Sequence, residues 1–398
     1  MTKLVFKVRA ENRYAGLKFP LRLRPLEDEL LSSWLIRLAI LHRTMPMTFT
    51  NLYLPHTKNK LWSSDLDLQA DGELLAGLSV KAAGIPVEQL HSITLKSYEG
   101  YLFERVYWKT RATQFILPLE MRGRRATLPG LRFCPECLRS DPQPYFRKIW
   151  RVSLSTVCTV HNRYLHDRCP HCSTPLTPYI SCQNGRMTDC YKCRMSLVQG
   201  RASPSSAPDE LVVVTNRLVQ AFKAGVVVIG GKPIYSHLYF RVLHHVLRML
   251  MSGKWGARLR SEVGLEWVGD HMQTFERVLI QDQARLIEKA VWLLDDWPKR
   301  FVDLCQRQGI WSSALLHDVE DAPFWYWDVV IRELYRPDRV VSEEEIKAAI
   351  AYMEGHGMPV NERSLSRLLG VNQVFRKRSL GSHITKWLSP DLLRQAPD

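Results

Sequence analysis

The sequence predicts a mainly α-helical, multi-domain protein whose small β elements are gathered around cysteine. Three observations predict it: apolar residues at three- and four-residue spacing near both ends of the chain, eight of nine cysteines confined between Cys134 and Cys193, and a polar Ser/Pro run at residues 201–209. At 398 residues the chain can supply two or three cores of about 150 residues each. A hydrophobic content of 45% with 12 Trp excludes a disordered basic tail. Against 40 Asp plus Glu stand 55 Lys plus Arg, a formal charge of +15, which favours phosphate-bearing or otherwise acidic partners over neutral small molecules.

Taken in order, residues 1–125 read as an N-terminal helical domain. Leu30, Leu31, Trp34, Leu35, Leu38 and Ala39 recur at helical spacing behind Glu27-Asp28-Glu29, and acidic residues suit a helix N-terminus. Leu74, Leu75, Leu78 and Ala82 lead into Gly84-Ile85-Pro86 and then Val87 to Leu95, a pair of short helices about a tight turn, as in a helix-turn-helix and in many ordinary bundles. Residues 126–200 hold the cysteines, and 201–209 read as a linker. Residues 210–340 are again helical, with a broad stripe at Leu238, Val242, Leu243, Val246, Leu247 and Leu250. Residues 341–398 open on Ser342 with Glu345 three positions later, a capping box, and continue through Leu365, Leu368, Leu369-Gly370-Val371-Asn372, which reads as a second helix-turn-helix. Met1 to Phe19 lacks an apolar run of signal-peptide length, and Ala224 to Ile229 is too short to cross a bilayer, so the expected location is cytoplasmic.

The strongest chemical signal is four knuckles: Cys134-Pro-Glu-Cys137, Cys158-Thr-Val-His161, Cys169-Pro-His-Cys172 and Cys190-Tyr-Lys-Cys193. Two ligands separated by two residues sit on one tight turn whose amides can hydrogen-bond the sulfurs, and a second knuckle closes a tetrahedron. Seven thiolates and one imidazole are the complement of two tetrahedral Zn2+ sites per chain with no open position, hence structural rather than catalytic. Consecutive pairing is preferred to an interleaved cross-brace, because the seven residues from Asn162 to Arg168 separate His161 from the next cysteine. His166 offers an alternative to His161, and Cys182, His171 and Cys305 are left without a role.

From Met121 to Gly200 thirteen basic residues face four acidic ones, so the region stays basic after two Zn2+ and seven thiolates are counted. Tyr145, Trp150 and Tyr191 lie among these charges as potential stacking groups. Arg122, Arg124 and Arg125, with Arg376, Lys377 and Arg378 in the C-terminal region, are the candidate nucleic-acid contacts; a solvated basic face, or a helical module that meets protein instead, accounts for the same charges. Catalytic patterns fail. Gly225 to Pro233 has the wrong spacing for a phosphate loop and Pro where a magnesium-binding hydroxyl is needed, and Asp295, Asp296, Asp318 and Asp321 have no spacing that marks a metal nuclease. The expectation is a protein that is not an enzyme.

The ordered motifs Pro25-Leu-Glu-Asp-Glu-Leu-Leu-Ser-Ser-Trp-Leu-Ile-Arg-Leu-Ala39, Ile93-Thr-Leu-Lys-Ser-Tyr-Glu-Gly100, Phe133-Cys-Pro-Glu-Cys137, Trp150-Arg151, Cys158-x-x-His161, Leu165 and Cys169-Pro-x-Cys172 resemble the TniQ/TnsD family over about the first half of the chain. Leu30 departs from the Ser that often follows the Glu there. The resemblance implies a target-selection adaptor of a heteromeric bacterial transposon, which marks the insertion site and recruits an AAA+ ATPase regulator that engages the transposase. Long TnsD-type relatives bind attachment-site DNA by sequence, whereas short TniQ-type ones in CRISPR-associated transposons dock on an RNA-guided Cascade-type complex, often as a homodimer. A chain of 398 residues is nearer the short type. The alternative from another class is a zinc-ribbon transcription regulator acting alone on an operator.

Overall fold

The structure, a computed structural model, describes residues 16–57, 61–106, 113–119, 121–122, 125–126, 128–181, 186–199, 205–266, 269, 273–316, 322–335 and 341–371. It is mainly helical with a few two-stranded sheets, and it divides into two compact units, Met1–Leu334 and Tyr335–Asp398.

The first unit begins with α1 (Leu31–Leu41), which buries Leu31, Trp34, Leu35, Leu38 and Ala39, the stripe that helical spacing marks. The acidic run before it does not cap the helix. Leu30 occupies the N-cap, no carboxylate lies in the first turn, and Asp28 and Glu29 are drawn inward instead. Four short helices follow, α2 (Pro46–Tyr53), α3 (Leu66–Gln69), α4 (Gly72–Lys81) and α5 (Val87–Ser92). Asp71 caps α4 by accepting the Leu74 N–H at 2.8 Å, and Ala83 and Gly84, both at positive φ, turn the chain into α5 where the sequence places a turn. Next come the hairpin β1 (Met121–Arg122)/β2 (Arg125–Ala126), α6 (Pro135–Ser140), the hairpin β3 (Val157–Cys158)/β4 (Arg163–Tyr164) and α7 (Pro178–Ser181).

The described part of the Ser/Pro run is packed rather than free: Ser206 bridges to Arg163, Ala207 is buried and its N–H reaches Asn162 O at 3.0 Å. Helix α8 (Asp209–Ala224) starts directly after it and runs into the hairpin β5 (Val226–Ile229)/β6 (Lys232–Tyr235). The Gly-rich stretch that mimics a phosphate loop is the turn of this hairpin. Gly230 and Gly231, at φ 53° and 77°, adopt the mirror-image turn that suits the twist of the strands. Helices α9 (Ser236–Met251), α10 (Lys254–Glu262), α11 (Ile280–Asp295), α12 (Lys299–Arg307), α13 (Ser312–Leu316) and α14 (Phe324–Leu334) complete the unit. One hydrophobic cluster runs from Phe19 through Phe133, Trp150 and Leu176 to Leu334, so the core is continuous across the changes of composition at residues 125 and 200.

The second unit has its own small core of Val341, Ile346, Ala349, Met353, Leu365 and Leu369. The expected capping box is formed: the Glu345 N–H donates to Ser342 Oγ at 3.2 Å and the Ser342 N–H to Glu345 Oε2 at 2.9 Å, opening α15 (Glu343–Gly355). Asn361 caps α16 (Glu362–Leu369), which Gly370 closes in the left-handed conformation. Arg376, Lys377 and Arg378 lie outside the described residues, as do Arg124, Cys182, Asp318 and Asp321.

Candidate metal centres

The first centre is assembled from two local devices. Cys134 is the N-cap of α6 with Pro135 in its first turn, so Cys137 falls one turn later on the same side. The β3/β4 hairpin carries Cys158 on its first strand and turns through His161 and Asn162, the latter at φ 50°. The ligand atoms of Cys134, Cys137, Cys158 and His161 all lie within 4.8 Å of one another. His161 Nδ1 is 3.5, 3.4 and 3.5 Å from the sulfurs of Cys134, Cys137 and Cys158. His166 takes no part. Its backbone pairs with Phe133 in both directions and its ring stacks on Phe133 at 5.4 Å.

The second centre uses two knuckles of one kind. Cys169 and Cys190 begin tight turns in which the Ser173 N–H donates to Cys169 O at 2.9 Å and the Arg194 N–H to Cys190 O at 3.0 Å. The Lys192 N–H points at Cys190 Sγ, 3.4 Å away. Cys169, Cys172, Cys190 and Cys193 again lie within 4.8 Å of one another, which is consecutive pairing of the knuckles, not the cross-brace.

A tetrahedral zinc at about 2.3 Å from sulfur and about 2.05 Å from nitrogen sets sulfur–sulfur separations near 3.8 Å and sulfur–nitrogen separations near 3.6 Å. The separations found are 3.6 Å for Cys137–Cys158, 3.7 Å for Cys169–Cys193 and 3.6 Å for Cys172–Cys190. All eight described cysteines are free thiols, far from the roughly 2.05 Å of a disulfide. Packed this closely, the thiols titrate against one another. Hydrogen bonds with Cys134 and Cys137 draw Cys158 well down, whereas those with Cys137 and Cys158 push Cys134 up. Burial pushes Cys169 up to about 12; at Cys172 burial is outweighed by hydrogen bonds from Thr174 and the neighbouring thiols, which bring it to about 6. A divalent cation relieves this mutual repulsion, so two Cys/His clusters that could hold zinc are what the geometry provides.

The first unit also holds a set of buried charges that the sequence does not announce. Arg151, 1% exposed, donates to Asp65 Oδ1 at 3.1 Å and Oδ2 at 2.5 Å and to Leu117 O at 3.0 Å, with Asp67 at 3.6 Å. Asp67 in turn accepts the Ser32 N–H and Oγ–H, both at 2.7 Å, which ties α3 to the first turn of α1. Arg37 donates to Glu29 at 2.7 Å, and the Leu30 N–H reaches Phe146 O at 2.9 Å. Arg132 donates to Ser155 O at 2.8 Å and to Gln283, joining the cysteine region to α11, while the Phe115 N–H and His244 of α9 both reach Glu276 Oε1 at 3.0 Å.

This changes the reading of the basic surplus. Of the thirteen cations counted from 121 to 200, Arg132, Lys148 and Arg151 are buried and serve the interior, and Arg163 pairs with Glu136 at 3.6 Å. Trp150, expected as a stacking group, is buried, and the Arg147 guanidinium covers both it and Tyr145, at 4.8 and 4.3 Å. Arg122 and Arg125 sit on the β1/β2 hairpin.

Residues 20–165 match the TniQ family model. The chain carries a TniQ domain. That domain runs from just before α1 to the end of β4, so it contains the first cysteine/histidine quartet and the buried charges of Glu29, Arg37, Asp65, Asp67 and Arg151, and it stops before the second quartet at Cys169. TniQ domains are associated with selection of target sites in transposition. No curated protein matches the chain. Among the described residues no helix is long and apolar enough to cross a membrane.

Proposed function

We propose that the chain is a non-enzymatic target-selection adaptor for DNA transposition, acting in the cytoplasm as a homodimer. In this reading it links a DNA-targeting assembly, either a Cascade-type RNA-guided complex or attachment-site DNA, to an AAA+ transposition regulator and through that to the transposase. The observation that carries the reading is the TniQ domain with a closed cysteine/histidine quartet inside it. Two Zn2+ per chain, held by Cys134, Cys137, Cys158 and His161 and by Cys169, Cys172, Cys190 and Cys193, would supply a structural cross-link and no reactive position. Each quartet offers four protein donors, the full complement of a tetrahedral ion. The protein's own residues then hold the surfaces that partners meet.

Deleting the gene in a strain that carries the element, and returning wild-type protein, tests this directly. Insertion should collapse on deletion and recover on return, and the purified protein should associate with the AAA+ regulator encoded beside it; undiminished insertion would overturn the reading. The capped pair α15–α16, with Arg363 and Arg367 exposed on the second helix, favours the zinc-ribbon transcription regulator as a second reading. That reading is sustained if deletion alters transcript levels of the element and leaves insertion unchanged.

A further inference from the structure

We infer that the chain carries a sequence-independent contact surface for duplex DNA, formed by Lys18, Arg22 and Arg24 on the strap that precedes α1 and by Arg43 just beyond the C-terminal end of α1. The inference rests on the transposition reading above and adds to it a place where this chain itself touches the phosphate backbone.

The strap is a built element. Its Phe19 N–H donates to Lys81 O at 2.8 Å, the Leu21 N–H to His42 Nε2 at 3.2 Å, and Leu23 O accepts from Trp34 Nε1 at 2.8 Å. Phe19 and Leu23 turn inward, Phe19 packing on Phe49 and Tyr53 at 5.1 and 5.2 Å, so Lys18, Arg22 and Arg24 are left on the outer side, exposed. Arg43 is exposed beside His42, and Lys81 closes the other side at the end of α4.

What sets this face apart is its sign. The three segments that meet here, residues 16–26, 40–57 and 74–86, contain no Asp or Glu at all. Lys18, Arg22, Arg24 and Arg43 have no carboxylate partner among the described residues, whereas Arg217, Arg241 and Arg332 elsewhere on the surface are ion-paired. The carbonyl ends of α1 and α4 account for part of the charge, since a helix C-terminus carries about half a negative charge and attracts a cation. Lys81 lies in the last turn of α4 and its Nζ donates to Leu17 O at 3.3 Å, and at the end of α1 it is His42 whose Nδ1 meets Leu38 O at 2.8 Å, so Lys18, Arg22, Arg24 and Arg43 remain in excess. Residues 1–15 carry Lys3, Lys7, Arg9 and Arg13 against Glu11, and residues 372–398 also hold more basic than acidic residues.

The class of nucleic acid follows from what the face lacks. Unpaired bases are held by exposed aromatic platforms. Here Phe19, Phe49 and Tyr53 are buried and packed on one another around His42, leaving aliphatic Leu17, Leu21, Leu41 and Val80 between the cations. Cations on a rigid strap without a stacking surface fit the regularly spaced phosphates of a duplex, read as charge and not as sequence.

The test is binding of the zinc-loaded, full-length protein to a fluorescein-labelled random-sequence DNA duplex of about 30 bp, by anisotropy from about 50 to 200 mM salt. Relative to wild type, the Lys18→Ala/Arg22→Ala/Arg24→Ala/Arg43→Ala protein should bind on the order of 10–100-fold more weakly at intermediate salt, and the slope of log affinity on log salt should shrink by about 3.6. Lys in place of Arg at 22, 24 and 43 should keep the slope, which separates lost phosphate contacts from a damaged strap. Unchanged affinity and slope in the Ala protein, or a patch-dependent preference for single-stranded RNA over duplex DNA, overturns the inference. So does unaltered duplex binding in an Ala protein that no longer binds the AAA+ regulator, which would make the face a protein-docking surface. Failure of the adaptor reading is seen separately, in insertion after gene deletion.

Discussion

Arg151 shows how much of the TniQ domain depends on single side chains. Its guanidinium is buried between two carboxylates, and such a pair is worth little against an apolar substitute but costs about 3–5 kcal/mol when one partner alone is removed, because the other charges stay buried. Arg151→Gln should therefore destabilise the first unit by about that amount in urea denaturation, while Arg151→Gln combined with Asp65→Asn and Asp67→Asn should recover most of it. The same network has a pH signature. Burial, only partly offset by Arg151, raises Asp67 to about 6, whereas an unfolded Asp titrates near about 3.9. The folded protein thus binds this proton more tightly, so the contribution of Asp67 to stability is full below pH about 4, falls as pH rises to about 6 by up to about 3 kcal/mol, and is constant above. The difference in unfolding free energy between wild type and Asp67→Asn, followed from pH 4 to 7, should show that fall; a flat difference would remove the assignment.

At the scale of the element, the knuckles were legible because each is a four-residue turn whose spacing survives in the sequence. The Asp65–Arg151 pair, 86 residues apart, and the drawing inward of Glu29 were not, since nothing local marks which buried cation a carboxylate will meet. Trp150-Arg151 and the Asp67 flanked by Leu66 and Leu68 were visible as polar residues in apolar surroundings, the one signal that could have suggested burial. Geometry adds something to the knuckles that spacing does not contain. Asn162, Ser173 and Arg194, each the residue after the second ligand of its knuckle, sit at φ 50°, 55° and 63°, where a β-carbon costs about 1–2 kcal/mol. The first knuckle escapes this because Cys137 continues into α6. Ser173→Val, which puts a branched β-carbon there, should weaken retention of the second metal on the order of tenfold in competition with a chromophoric chelator, and Ser173→Gly should leave it equal or tighter. The first metal should be unaffected in both proteins.

At the scale of the whole molecule, mean composition separates a helical region, a cysteine region and a second helical region, yet apolar faces from all three enter one core. Composition records which residues a segment has; continuity of the core depends on which faces meet, and that is decided by contacts such as Phe115 to Glu276 and Arg132 to Gln283 across more than a hundred residues. A thermodynamic consequence follows. The binding free energy of a structural zinc, about 10–16 kcal/mol in isolated finger peptides, is largely folding free energy of whatever the site holds together. Here Cys134, Cys137, Cys158, Cys169 and Cys190 are themselves members of the large cluster, so removing metal should loosen the entire first unit, not a detachable finger. The unit formed by Tyr335–Asp398 has a separate six-residue core and no member of either quartet. Calorimetry of the full-length protein should accordingly show a major transition that a strong chelator lowers by at least about 10 °C and a minor one that it leaves in place. Loss of a few per cent of the unfolding enthalpy with the major transition unmoved would mean that the metals stabilise only their own turns.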